Sequence, residues 1–137
     1  MLKKSKGFTL IELLVVVAII GILAALVISY LSQARLKSRD SRRKSDVREV
    51  YNALTQYADD NNGNYPANTG ALVPTYMSRV PTDPRTGAAY PYAVSASGTE
   101  FEINATLENA SDNDDNNDGG NAANVYEIGD DSGLDLL

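Results

Sequence analysis

Lys6 to Leu31 reads KGFTLIELLVVVAIIGILAALVISYL, and this stretch decides the fold. A basic stub ends at Gly7, and a long apolar run starts at Phe8. From Leu10 to Leu31 the only charge is Glu12. About 20 apolar residues in a helix cross the hydrocarbon core of a bilayer. A secretory signal is cut after its apolar run and loses it. Here the punctuation, Lys6-Gly7-Phe8, comes first, so a cut at Gly7 removes the charges and keeps the apolar segment. A carboxylate inside such a segment costs a few kcal/mol, which marks Glu12 as paired or functional. After that cut the new α-amine of Phe8 lies one helical turn from Glu12. Glu12 can then neutralise its own amine or that of a neighbour at a fixed axial offset.

K-G-F-T-L-I-E-L-L resembles the class III signal of type IV pilins and type II secretion pseudopilins. The resemblance implies a prepilin peptidase that cuts between Gly7 and Phe8 and methylates the Phe8 amine, with Glu12 as the assembly acid. Many relatives carry a Pro near the end of the apolar stretch. This chain has Val27-Ile28-Ser29-Tyr30 there.

The composition limits the chemistry. The chain has no Cys and no His, which excludes disulfides, thiolate metal sites and the commonest general base. Residues 1–49 carry ten Lys/Arg and four Asp/Glu, a net of +6, and residues 50–137 carry two and fourteen, a net of −12. Lys3, Lys4 and Lys6 favour a cytoplasmic leader. A second basic group comprises Arg35, Lys37, Arg39, Arg42, Arg43, Lys44 and Arg48. It reads as a solvated helix face partly paired with Asp40, Asp46 and Glu49. The other readings for it are lipid headgroups and acidic patches of neighbouring subunits. The acidic head argues against nucleic-acid binding.

The first Pro is Pro66, so residues 8 to about 61 can form one helix of roughly 80 Å. Its first half is apolar all round. In its second half Val47, Val50, Tyr51, Leu54, Tyr57 and Ala58 form a stripe that should pack on a sheet. Asn61-Asn62-Gly63 is the expected stop, with Gly63 able to take the left-handed conformation. Residues 64–89 read as loop with a short turn at 71–76, Tyr90–Ser95 as a strand, and Val125–Ile128 as a further strand. Phe101–Glu108 alternates, with Phe101, Ile103, Ala105 and Leu107 inward and the intervening residues on a wet face. The expected fold is α+β and pilin-like, a long N-terminal helix on a small antiparallel sheet. Its parts are a cleaved leader (1–7), a transmembrane or filament-core helix (8–31), an amphipathic half (32–62) and a globular head (63–137).

In the head, N-G-N-Y-P at 62–66, L-V-P-T-Y at 72–76, V-P-T-D-P-R-T-G at 80–87 and Y-P-Y at 90–92 resemble the major pseudopilin of type II secretion. Asp114, Asn116, Asp118 and Gly119 match the start of the D-x-[DN]-x-[DN]-G calcium loop, but its twelfth position is Val125. Asp112, Asp114, Asn116, Asp118 and Glu127 are the candidate ligands for a structural Ca2+ ion, with Asp130 or Asp131 as substitutes for the last. The resemblance implies such an ion, because major pseudopilins use calcium to fix a C-terminal loop. The alternative is a solvated acidic tract.

The expected function is that of a filament subunit, not an enzyme. The precursor is held in the bacterial inner membrane with its head external, and it polymerises with itself through the apolar helix. An assembly platform and its ATPase supply the energy, since the chain has no nucleotide-binding loop. Two assignments stand, a type II secretion pseudopilus and a surface type IV pilus for adhesion, twitching or DNA uptake. Further alternatives are a membrane-anchored binding module and an enzyme built on Glu100 and Glu102.

Overall fold

The computed structural model describes residues 7–109 and 124–130. Helix α1 runs from Leu10 to Asp60, strand β1 from Tyr92 to Val94, β2 from Phe101 to Thr106 and β3 from Val125 to Gly129. The expected α+β architecture is present, a long N-terminal helix and a three-stranded antiparallel sheet in the order β1-β2-β3. The chain divides into two compact units, residues 1–35 and 36–137.

In the first unit, every residue from Gly7 to Arg35 is exposed. Leu, Val and Ile side chains stand outward on all sides, with Leu10 82% and Ile28 68% accessible. No ordinary water-facing helix looks like this. A helix apolar all round is one meant for lipid or for packing among other helices.

In the second unit, α1 buries one stripe. Val47, Val50, Ala53, Leu54 and Ala58 pack with Leu72, Met77, Tyr90, Phe101, Ile103, Ala105, Leu107 and Tyr126 in a single core. Each large side chain fully buried there contributes about 1.5–3 kcal/mol. Phe101 is the centre of an aromatic cluster, with ring centroids 4.4 Å from Tyr65, 5.7 Å from Tyr51 and 6.2 Å from Tyr92.

The helix ends with a left-handed step, but at Asn62 as well as the expected Gly63. Asn62 has φ 57° and Gly63 φ 80°. The Gly63 N–H donates to the Ala58 carbonyl at 2.9 Å, the long bond of a Schellman cap in which Asn62 takes the left-handed position. Asn is one of the few residues that tolerates it. The turn expected at 71–76 begins earlier, as a 3-10 helix over Thr69–Leu72. Strand β1 is shorter than expected and starts after Pro91, which lacks the N–H a central strand position needs.

The sheet register pairs Ile103 with Ile128, Ala105 with Tyr126 and Asn104 with Glu127. Partners share a face, so Phe101, Ile103 and Ala105 point to the core as expected. The opposite face is not uniformly wet. Glu102 is 0% and Glu127 2% accessible on it. Alternation decides which residues share a face, but not whether that face meets water.

Candidate functional site

The predicted processing and assembly residues sit at the start of α1. Gly7 and Phe8 are exposed, Phe8 at 81%. A Cβ added at Gly7 would meet nothing within 4 Å among the described residues. Thr9 and Glu12 close the helix start as a reciprocal capping box. The Glu12 N–H donates to Thr9 Oγ1 at 3.3 Å, and the Thr9 N–H donates to Glu12 Oε2 at 2.8 Å. The Thr9 hydroxyl donates to the same oxygen at 2.9 Å. The Thr9 carbonyl accepts the first helical bond, from the Leu13 N–H at 3.2 Å. Two otherwise orphaned donors are thereby satisfied. The T-x-x-E spacing is the sequence signature of this cap, and the reading of Glu12 as an assembly acid alone passed over it. In this chain the Phe8 nitrogen is a peptide nitrogen, and Thr9 holds the Glu12 carboxylate.

A second cluster lies in the head. The carboxylate of Asp40, fully buried in α1, accepts the backbone N–H groups of Glu108 at 2.9 Å and Asn109 at 2.8 Å. Arg43, one turn on, reaches three acids: Asp40 at 2.7 Å, Asp83 at 2.5 Å and Glu108 at 2.7 Å. Arg39 makes a two-pronged contact with Glu108, at 2.8 and 2.6 Å. The Asp83 carboxylate also accepts the N–H groups of Arg85 and Thr86 at 2.9 and 2.7 Å. That closes the Thr-Asp-Pro-Arg-Thr-Gly turn at 82–87, where Gly87 takes φ 71°. The Arg39 hydrogen bonds hold the Glu108 carboxyl down to about 2. The Arg43 guanidinium, with the backbone N–H groups of the turn, holds Asp83 well below the usual carboxylate range.

The basic stretch is therefore only in part a solvated face: Arg35, Lys37, Arg42 and Arg48 are exposed, Asp40 and Asp46 pair with it as expected, and Arg43 and Lys44 are buried. Beyond the arginines of this cluster, Arg42 lies 3.8 Å from Asp46, and Arg48 donates to the Tyr126 hydroxyl at 2.7 Å. Lys44 lies 5.9 Å from the Tyr126 ring centroid. Arg35 and Lys37 are exposed, with no partner among the described residues. The physical reason is that the acidic head supplies counter-charges from far along the chain.

Of the candidate calcium ligands, Glu127 lies buried in β3. Asp112, Asp114, Asn116 and Asp118 lie outside the described residues. Among the described residues no group of three or more acidic side chains is placed to hold a metal. Glu100 is exposed and Glu102 buried, an arrangement that gives an enzyme reading no support.

The Prokaryotic N-terminal methylation motif family matches residues 2–28. The type II secretion system core protein G of Pseudomonas aeruginosa is 32% identical over 133 residues, covering 82% of this chain and 92% of that protein. The type IV wide pilus major component of Thermus thermophilus is 38% identical over 82 residues, 60% of this chain and 62% of that protein. The type IV major pilin of Myxococcus xanthus is 31% identical over 100 residues, 73% of this chain. The chain spans 41% of the length of the Myxococcus pilin and 62% of the Thermus one. No solved structure matches the chain at a significant level. With its apolar helix, its capped Glu12 and an alignment that covers 92% of a core protein G, the chain belongs to the family of type IV pilins and type II secretion pseudopilins.

Proposed function

We propose that this chain is a structural subunit of a pilus-like filament, most like the major pseudopilin of type II secretion, and not an enzyme. One observation carries the reading. From Leu10 to Leu31 the helix exposes apolar side chains on every side, and a single carboxylate is held at its start by Thr9. In a plain anchor that acid would do no more than cap the helix start. In a helix that leaves lipid to pack among copies of itself it has a second use, because it can receive the amine of an arriving neighbour.

In this account a prepilin peptidase cuts between Gly7 and Phe8 and methylates the new amine. The cut is supported by the Lys-Gly-Phe punctuation before the apolar run and by the match of the N-terminal methylation motif to residues 2–28. The precursor waits in the inner membrane with its head on the external side. An assembly platform with its ATPase then extracts it, and the heads form the filament surface. The contact is head-to-tail, which generates open helical polymers. The acidic stretch 112–118, with Glu127, takes a structural Ca2+ ion, supported by its density of oxygen ligands.

Likeness along 92% of a core protein G favours the secretion pseudopilus. The surface pilus is the second reading, favoured by the 38% identity to a wide pilus component. Deleting the gene and assaying the culture separates them. Loss of exported hydrolases with surface pili intact fits the first, and loss of surface pili alone fits the second.

A further inference from the structure

The cations of the basic stretch do not share one fate. From Arg39 to Arg48 each is engaged within residues 36–137. Arg35 is exposed, with no partner among the described residues, although an arginine fork readily finds carboxylates or phosphates. Its position along the helix is informative. Leu10 to Leu31 covers roughly 32 Å at 1.5 Å per residue, the thickness of a hydrocarbon core. Tyr30, 75% exposed, stands at the end of that span. Arg35 follows Leu31 by about 6 Å along the axis, within the depth of one headgroup layer. Tyrosine rings concentrate at that level, with an apolar body in the chains and a hydroxyl in the wet layer. Five residues separate the two side chains, so they stand roughly 140° apart around the helix.

We propose that Tyr30 and Arg35 form an interfacial clamp that binds the phosphates of an anionic phospholipid surface in the leaflet nearer the head, and so sets the depth at which the precursor waits. The clamp rests on the membrane-held precursor of the proposed function. Arg35 makes a two-pronged, charge-assisted contact with headgroup phosphate. Tyr30 resists sinking from another side of the helix. Extraction into a filament must break this contact, so the clamp adds to the work done on each subunit and keeps unassembled subunits at one level.

The chain has no Trp, so Tyr30→Trp provides a single interfacial reporter that keeps an aromatic ring at that position. The full chain carrying it is reconstituted in phosphatidylglycerol and in phosphatidylcholine vesicles, and its fluorescence is quenched by lipids brominated at graded depths. The clamp predicts strongest quenching near the headgroup end of the chains in phosphatidylglycerol. Adding Arg35→Gln should move the maximum toward the bilayer centre, with a smaller movement in phosphatidylcholine. An unchanged profile with Arg35→Gln overturns the clamp. An unchanged profile together with lost filaments also overturns it, and assigns the charge to a second copy. Emission from water in every vesicle, with no quenching at any depth, instead overturns the membrane reading itself.

Discussion

Asp40 and Glu108 are 68 residues apart, yet the buried Asp40 carboxylate accepts the Glu108 backbone N–H at 2.9 Å. The Glu108 side chain returns to the same helix through Arg39 and Arg43. The helix thus holds the segment that follows β2 by backbone and side chain at once, and Arg43 ties the Asp83 turn to the same point. What the sequence presents as a basic surface is the lock between helix and head.

Removing one partner from this cluster should cost more than removing an exposed ion pair. Asp40→Ala strands the buried side of Arg43 and two backbone N–H groups. The expected loss is about 3–5 kcal/mol of head stability. Arg42→Ala breaks only a long pair with an exposed arginine and should cost under about 1 kcal/mol. Urea unfolding of the two variants followed by circular dichroism checks the contrast.

The cluster also fixes a pH dependence. Glu108 and Asp83 are held below their ordinary values in the folded chain. Their contribution is therefore complete above the unfolded carboxylate range and lost as pH falls through the folded values. Melting temperature should be flat above about pH 5 and should fall between 4.5 and about 2, the window of Glu108. Arg39→Gln removes the main cause of the Glu108 shift and should flatten the fall. Thermal melts from pH 7 to 2 on both proteins test this.

At the helix start, Thr9→Val keeps the shape and removes the hydroxyl of the cap. About 1 kcal/mol of helix-end stability should go with it, while Thr9→Ser should keep it. Amide hydrogen exchange at Glu12 and Leu13 in micelles reads the difference. Equal protection in Val and Ser variants would remove the capping box from the account.

The calcium proposal predicts that millimolar Ca2+ raises the melting temperature of the protein by several degrees, since about 1 kcal/mol moves a small domain by 4–8 °C. Asp114→Asn with Asp118→Asn should abolish the rise. No response in the unsubstituted protein would leave the stretch a solvated acidic tract.

The long elements were legible because their signals are local and periodic. The apolar run, the stripe from Val47 to Ala58 and the alternation after Phe101 each repeat the spacing of their own structure. The Thr9–Glu12 cap was equally local, but the stronger association of Glu12 with assembly hid it. The lock was not legible, because Arg43 and Asp83 are 40 residues apart and only the folded chain brings them together. Nor was the burial of Glu102, which depends on what lies over its face of the sheet and not on its place in the pattern.

The central claim, that this is a processed filament subunit, is tested most directly by the mass of the full chain purified from cells that also express a prepilin peptidase. The account predicts a species that begins at Phe8 and is heavier by one methyl group. An unprocessed chain that keeps Met1, with the peptidase shown to be active on another substrate, would contradict it and leave the apolar helix a plain anchor.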